Sequence, residues 1–265
     1  MNLKLSASVA ALALLASAFT ASATELRLSH QWSTGDVRHK VAQIVADEVA
    51  AANVDLEIKI FPSESLLKAR EQYKPLSRGL LDMTVLPLSY AGGQQPAYNL
   101  TLMPGLVKNH DHAARMNDSP FMEAIEEIMA GDDVMVLVHG YLAGGFAATQ
   151  KCITKPEDMQ GLQTRAAGKA FEQMLAGAGA SIASMASSEI YNAMQTGVID
   201  GAMIDATTLK AFKLAEVTKY ITQGMDTTMS DFFLVMNRDS FGDLTEDQQM
   251  IVLDAGRAAA VNGNK

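Results

Sequence analysis

Several short stretches of the chain have the periodicity of β-strands. From Val54 to Phe61 apolar and charged residues alternate, which predicts a strand with one face in water. Three runs, at residues 83–88, 134–139 and 232–236, are almost wholly apolar, as is typical of strands buried on both faces. Weaker strand patterns occupy residues 26–29 and 198–204. These runs predict sheets that are covered by other elements.

Helical spacing of apolar residues separates these strands. It predicts helices over residues 37–51, 63–77, 110–130, 171–175, 187–196, 207–216 and 244–261, with Pro120 interrupting the third. Strands that alternate with helices predict an α/β fold with parallel pairing. The pattern restarts after Lys155, and the glycines between Gly140 and Gly145 suggest a crossing between lobes. We therefore expect two α/β blocks, and no repeat of 20–50 residues indicates a solenoid.

The N-terminus has the three parts of a secretory signal peptide. Lys4 provides the positive charge, residues 5–20 are apolar or small, and Ala21-Ser22-Ala23 is an A-x-A cleavage pattern. We predict a signal peptide over residues 1–23, cleavage near Ala23 and a periplasmic location. Since Lys4 is the only charged residue removed, the net charge changes from -9 to -10 on cleavage. The rest of the sequence contains no apolar run of about 18 residues, so it predicts no membrane span.

Charge and composition exclude several classes of function. A net charge of -9 argues against nucleic acid as a partner, because phosphate backbones repel an acidic chain. The sequence has no G-x-S-x-G, Walker A, CxxC or HExxH pattern, and its one cysteine, Cys152, cannot form an internal disulfide. On a helix, His110 and His112 would point apart, which argues against a metal site there. We therefore expect no catalytic residue, metal or cofactor.

The stretch GLQTRAAG, residues 161–168, sets one long cation among small uncharged neighbours. Arg165 could form a structural salt bridge at the surface or between lobes. It could instead hold a carboxylate, because the planar guanidinium fork matches the two carboxylate oxygens. Residue types alone leave both interpretations open.

Three stretches carry a resemblance to a known family. They are GLLDM at residues 79–83, KPEDMQGLQTR at 155–165 and EIYNAMQTGVIDG at 189–201. In this order and spacing they resemble the solute-binding subunit of TRAP (tripartite ATP-independent periplasmic) transporters, the DctP-type family. Together with the export signal, the resemblance covers nearly the whole chain.

This resemblance implies a periplasmic-binding-protein-like fold, with two α/β lobes joined by crossing segments around a ligand cleft. Lobe I would comprise residues 24–142 plus 230–265, and lobe II residues 143–229. The expected ligand is a small organic acid whose carboxylate binds Arg165, the expected partner is a TRAP membrane permease, and we expect a monomer without a cofactor. Arg38 could pair at its helix start or reach the cleft. Further ligand contacts are expected at strand ends and crossing segments, from Trp32, Tyr90, Tyr141, Phe146, Met203, Asp205 and Phe232.

The chain also departs from the family pattern. No Arg lies between Tyr141 and Gln150, where many relatives have a second one, and Ala202 follows the D-G pair where many have Asn. These differences argue against sialic acid or a simple dicarboxylate as the ligand. The closing helix ends early, as in a short member or a fragment. Two rival functions stay open: a periplasmic hydrolase or isomerase using Glu189 or Asp205, and a sensor or chaperone-like module.

Overall fold

The computed structural model describes residues 23–223 and 229–262. The predicted signal peptide, residues 224–228 of the predicted lobe II and residues 263–265 of the predicted lobe I lie outside the described residues. In chain order the strands are β1 (Thr24–Ser29), β2 (Leu56–Phe61), β3 (Met83–Leu86), β4 (Val134–Leu142), β5 (Gly144–Ala148), β6 (Gln163–Ala166), β7 (Ser181–Ser184), β8 (Gly201–Asp205), β9 (Tyr220–Gln223) and β10 (Ser230–Asn237). The α-helices are α1 (Val37–Ala52), α2 (Tyr73–Leu76), α3 (His110–Met116), α4 (Pro120–Gly131), α5 (Lys169–Gly177), α6 (Ile190–Gln195), α7 (Ala206–Ala211), α8 (Arg238–Gly242) and α9 (Glu246–Asn262).

The described strands form two five-stranded sheets, which confirms the α/β fold class. The first has the order β2-β1-β3-β10-β4, and the second has the order β7-β6-β8-β5-β9. In the first sheet β1 is parallel to β2 and β3, whereas β10 runs antiparallel to its two neighbours. The names lobe I and lobe II are kept for these sheets and the helices packed on them.

Each sheet is covered on both faces. In lobe I, α1 and α9 pack on one face of the sheet, while α2 and α4 pack on the other. In lobe II, α5 covers one face and α6 the other. The apolar runs that form β3 and β10 are therefore buried, as the pattern indicated. The run at residues 134–139 is only partly buried, because β4 is an edge strand of its sheet.

The chain crosses from lobe I to lobe II at Ala143, the single residue between β4 and β5, and returns between Gln223 and Ser230. Among the described residues, no helix has the length and apolar character that a membrane crossing requires.

One predicted helix is wrong and several strands were not predicted. The helix expected over residues 63–77 is limited to a 3-10 turn at Ala69–Glu71 and to α2. Ser63 and Glu64 instead take positive φ angles of 56° and 58°, and their N–H groups donate to the carbonyls of Trp32 and His30. Strands β5, β6, β7 and β9 are short and contain small or polar residues, so they carry no clear apolar alternation.

Candidate functional site

A small internal cavity of about 20 Å³ lies between the two lobes. Lobe I contributes Arg38, Pro87, Tyr90, Leu102, Ser230 and Asp231 to its lining. Lobe II contributes Arg165, Ala167, Ser187, Ile204, Asp205 and Thr208. A space of this size holds about one water molecule, so the lobes are closed on each other.

A larger cavity of about 460 Å³ lies within lobe I, between α3, β4 and α9. Its lining includes His110, Asn117, His139 and Tyr141, but no Lys, Arg, Asp or Glu. The inter-lobe cavity brings two arginines and two aspartates together, and we therefore place the candidate site there.

Arg165 lies in the middle of β6 with its side chain directed to the cavity. In register beside it are Ala183 of β7 and Ala202 of β8, whose small side chains leave room for the guanidinium. Only 3% of Arg165 is exposed. Its Nε donates to the carbonyl of Met185 at 3.0 Å and its Nη1 to the carbonyl of Met203 at 3.1 Å. The guanidinium is thus fixed by the backbone of lobe II.

The remaining hydrogen bond of Arg165 crosses between the lobes. Its Nη2 donates to the hydroxyl of Tyr90 at 2.9 Å, and the backbone N–H of Ser187 donates to the same oxygen at 2.9 Å. Burial opposes ionisation of Tyr90, but Arg165, Ser187 and Arg70 together hold its pKa below the usual value. Two donors of lobe II therefore converge on one oxygen of lobe I.

Arg165 has no carboxylate within 4.0 Å among the described residues. Burial and the nearby Arg70 lower the pKa of its guanidinium, and the opposing contributions of Tyr90 and Asp205 are smaller. Buried charges in proteins are ordinarily paired or bound to an ion. An unpaired, fully desolvated guanidinium beside a cavity is an environment that favours an anion.

Arg38 lies in the same cavity but is neutralised by protein carboxylates. Asp36 caps α1 by accepting the N–H of Arg38 at 2.8 Å, and its carboxylate also binds the Arg38 guanidinium at 2.7 Å. Across the lobe interface, Arg38 pairs with Asp205 at 3.3 Å. Burial would lower the pKa of Arg38, but Asp205 and Asp36 outweigh it and raise the pKa. Both alternatives considered from the sequence hold for Arg38: it pairs with Asp36 at the start of its helix, and it also reaches the cleft.

Asp205 begins α7 and is held as a carboxylate. Its side chain accepts the N–H of Thr208 at 2.7 Å, which caps the helix. Burial alone would raise the pKa of Asp205, but Arg38 and the hydroxyls of Thr207 and Thr208 hold it below the usual range. All of these contacts stabilise the ion in place, so Asp205 is not arranged as a proton-transfer group.

Four of the residues predicted from the sequence meet at or beside the cavity. Arg165, Tyr90 and Asp205 line it, and Met203 contributes a backbone carbonyl to Arg165 while its side chain packs in lobe II. Trp32 is fully buried behind Arg38 and does not reach the cavity. The centre of its ring lies 4.2 Å from the guanidinium carbon of Arg38. It therefore supports Arg38 and does not line the cavity.

The structure does not bring the other three predicted residues to the cavity. Tyr141 donates from its hydroxyl to the carbonyl of Thr101 at 3.1 Å and packs in lobe I. Phe146 is a core residue of lobe II, and Phe232 packs in the lobe I core against Gly140. Strand alternation explains the position of Phe232, which points to the face opposite its neighbour Asp231, and Asp231 does line the cavity.

Sequence reasoning missed eight of the twelve lining residues: the polar Ser187, Thr208, Ser230 and Asp231, and the apolar Pro87, Leu102, Ala167 and Ile204. Ser187 and Thr208 fall within the helices predicted over residues 187–196 and 207–216, and the helical pattern gave them no binding role. Asp231 directly precedes the apolar run 232–236, and a polar residue at the start of a strand gives no sign of burial. Glu189, a candidate for the enzyme alternative, instead accepts the N–H of Ala186 at 2.7 Å and does not line the cavity. No cluster of three or more His, Cys, Asp or Glu side chains in the described ranges could hold a metal ion.

Comparisons with known proteins point to one family. The family model "Bacterial extracellular solute-binding protein, family 7" (DctP) matches residues 28–265. A solute-binding protein of Albidiferax ferrireducens is 33% identical over 244 residues, which are 89% of this chain and 72% of the relative. The sialic acid-binding periplasmic protein SiaP of Vibrio cholerae is 26% identical over 250 residues, 93% of this chain and 78% of that protein.

Solved structures show the same fold. A TRAP periplasmic solute-binding protein from Rhodoferax ferrireducens, crystallised with bound malonate, is 31% identical with a TM-score of 0.83. That match covers 90% of this chain and 80% of the other. The two-lobed architecture around the Arg165 cavity is therefore the architecture of a characterised class of receptors.

Proposed function

The chain belongs to family 7 of the bacterial extracellular solute-binding proteins, the DctP family, and on this basis we propose that Arg165 binds the carboxylate of a small organic acid in the cleft. The protein is a solute-binding transporter subunit and not an enzyme, because the family and the structural neighbours are solute-binding receptors. The bound acid passes to the membrane permease of a TRAP transporter. The malonate in the Rhodoferax ferrireducens protein supports a carboxylate as the ligand class.

The observation that carries this proposal is the contrast between the two buried arginines. Arg38 is compensated by Asp36 and Asp205, whereas the guanidinium of Arg165 binds only two carbonyls and a hydroxyl. A carboxylate on Arg165 would give the buried charge its counter-ion. Hydrogen bonds to charged groups contribute roughly 1.5–3 kcal/mol each. Two such bonds and apolar burial reach the roughly -8 kcal/mol of micromolar affinity.

Hydrogen bonds across the lobe interface support a closing mechanism. Besides Arg165–Tyr90 and Arg38–Asp205, the hydroxyl of Ser188 donates to Glu64 at 2.9 Å and that of Ser89 donates to the Ala167 carbonyl at 3.0 Å. In the closed cavity the Tyr90 hydroxyl takes the acceptor position that a carboxylate oxygen would need. The acid enters when the lobes separate, and on closure it competes with Tyr90 for the N–H groups of Arg165 and Ser187. A ligand that contacts both lobes favours the closed state.

Further parts of the proposal rest on the family and on the sequence. The lobes are residues 24–142 plus 230–265 and residues 143–229, a division supported by the two sheets. Residues 1–23 act as a signal peptide cleaved near Ala23, and the mature protein works as a monomer in the periplasm. The periplasmic relatives support the location.

A ligand screen followed by calorimetry tests the proposed function. Malonate, hydroxymalonate, succinate, malate, propionate, lactate and pyroglutamate are screened by thermal shift, where a binder raises the melting temperature with concentration. Dissociation constants of the binders are then measured on the wild type, on Arg165→Gln and on Arg257→Gln. Arg257 is a matched control because it forms an exposed pair with Asp254 at 2.6 Å. Loss of binding in the Arg165 variant alone supports the proposal, and unchanged affinity in both variants rejects it.

A further inference from the structure

Asp231 is a buried carboxyl group that the carboxylate-binding role does not use. It is the second residue of β10, directly after the crossing from lobe II, and only 1% of it is exposed. Its Oδ2 accepts a hydrogen bond from the hydroxyl of Thr101. Its Oδ1 is buried and has no hydrogen-bond partner in the part of the chain that the structure describes. Since native proteins pair almost all buried polar atoms, this oxygen requires an explanation.

The two arginines of the site do not pair with the Asp231 carboxyl. Arg38 is held by Asp36 and Asp205, and Arg165 by carbonyls and Tyr90, so neither lies within 4.0 Å of the Asp231 carboxyl. Tyr141 lies near Asp231 but directs its hydroxyl to the Thr101 carbonyl. Burial raises the pKa of Asp231 to about 7, although the hydroxyl of Thr101 and the nearby backbone N–H groups of Asp231 and Leu88 oppose this increase. No cation is among the groups that compensate the charge.

The position of Asp231 relates it to the ligand. It lines the same inter-lobe cavity as Arg165, and the two residues come from opposite lobes. Of the other lining residues, four are apolar, namely Pro87, Leu102, Ala167 and Ile204. The polar side chains of Arg38, Tyr90, Ser187, Asp205 and Thr208 are already hydrogen-bonded to other residues, and Ser230 is the remaining polar residue. A molecule anchored on Arg165 therefore meets an unused acceptor on the other wall of the cavity.

We propose that Asp231 is a second ligand-binding residue, whose free Oδ1 accepts a hydrogen bond from a hydroxyl or N–H group of the bound acid. The site thereby selects carboxylic acids that carry a hydrogen-bond donor near the carboxylate over their unsubstituted analogues. This inference rests on the proposed function, because the acid must first be anchored on Arg165. It also gives closure a cause, since one molecule then joins lobe II through Arg165 to lobe I through Asp231.

The expected selectivity follows from leaving a buried acceptor unpaired. An acid without the donor desolvates Oδ1 and gives it no partner, which lowers affinity by about 10- to 100-fold. Matched pairs isolate this effect because both members keep the carboxylate skeleton. Suitable pairs are lactate and propionate, hydroxymalonate and malonate, malate and succinate, and pyroglutamate and 3-oxocyclopentanecarboxylate.

The experiment measures dissociation constants of each pair by calorimetry at pH 7.5, first on the wild-type protein. We expect the donor-bearing member to bind at least 10-fold more tightly in at least one pair. Asp231→Ala, or Asp231→Leu if the first variant does not fold, should bind both members with similar affinity. Asp132→Ala is the control, because Asp132 is a carboxylate of lobe I bound by Tyr73 and Tyr98 outside the cavity. It should keep the wild-type preference.

Three results would contradict the proposed role of Asp231. Equal affinities for both members of every pair that binds would overturn the role of Asp231 and leave carboxylate capture intact. A preference that persists in the folded Asp231 variant would also overturn it. Binding of no acid from any pair would reject the proposed function itself, and this inference with it.

Discussion

The guanidinium of Arg38, on the first helix of lobe I, forms an ion pair with the Asp205 carboxylate of lobe II at 3.3 Å. Both side chains are at least 95% buried, and Asp36 completes the cluster at 2.7 Å from Arg38. This contact joins the two lobes beside the cavity. It also distinguishes Arg38, which is paired with carboxylates, from Arg165, which is not.

Removing Arg38 should destabilise the protein strongly. Arg38→Met leaves two buried carboxylates, Asp36 and Asp205, without their cation, and breaking a buried pair in this way costs about 3–5 kcal/mol. Urea unfolding at pH 7.5 measures the loss. Arg257→Met removes an equally charged residue from an exposed pair and should leave the unfolding free energy nearly unchanged. Equal effects of the two variants would show that the Arg38 cluster contributes little.

Closure should depend on the absence of a side chain at Gly168. A Cβ atom there would lie 2.7 Å from the Cβ of Ser89 in the opposite lobe, closer than packed atoms allow. Gly168→Val should therefore hold the lobes apart, weaken ligand binding and increase the radius of gyration measured by small-angle X-ray scattering. Gly93→Val places its side chain in open space and serves as the control. A Gly168 variant with wild-type affinity and dimensions would contradict this account of closure.

Acid should destabilise the protein through His30. Burial, together with the neighbouring His39 and Arg38, lowers its pKa from 6.5 to about 3. Between these values the unfolded chain binds a proton that the folded protein does not, so stability falls as pH decreases below 6.5. From pH 7.5 to pH 5 the wild type should lose about 2 kcal/mol more than His30→Gln does. Replacing the exposed His110 with Gln should not reduce the wild-type loss, and identical slopes for all three proteins would refute the prediction.

Asp231 should give a pH dependence of the opposite sign. Its carboxyl has a pKa of 3.8 when exposed and about 7 when folded. Between these values the folded protein holds a proton that the unfolded chain has released, so stability falls as pH increases and is constant above pH 7. Relative to Asp231→Asn, the wild type should lose about 2–3 kcal/mol of unfolding free energy from pH 5 to pH 8.5. If the difference in unfolding free energy between the wild type and Asp231→Asn does not change with pH, the prediction is wrong. The folded protein would then stabilise the ionised carboxyl as well as water does.

The sequence predicted those features that depend on local periodicity. The alternation from Val54 to Phe61 became β2, and the apolar run ending at Met236 became β10. The helix predicted from residue 63 failed because backbone contacts with the loop after β1 hold Ser63 and Glu64 at positive φ. Such long-range constraints leave no periodic signal.

At the candidate site, the sequence was more informative about residue types than about where their side chains lie. The small sequence neighbours of Arg165 left its role open, and the family resemblance suggested that it binds a carboxylate. In the sheet, Ala183 and Ala202 of the adjacent strands flank it, which the sequence pattern did not indicate. Residue type suggested the aromatic residues Tyr141, Phe146 and Phe232, but strand direction and core packing direct them elsewhere. Asp231 was missed because its burial depends on residues that are distant in sequence, such as Thr101 and Tyr141, and such contacts leave no local pattern.

The measurement that tests the central claim most directly is calorimetric titration of wild-type, Arg165→Gln and Arg257→Gln proteins with the tightest-binding acid of the screen. Thermal unfolding first verifies that each variant is folded. The account predicts that Arg165→Gln loses at least about 100-fold in affinity, as expected for two charged hydrogen bonds, while Arg257→Gln binds like the wild type. A folded Arg165→Gln protein with the wild-type dissociation constant would contradict it.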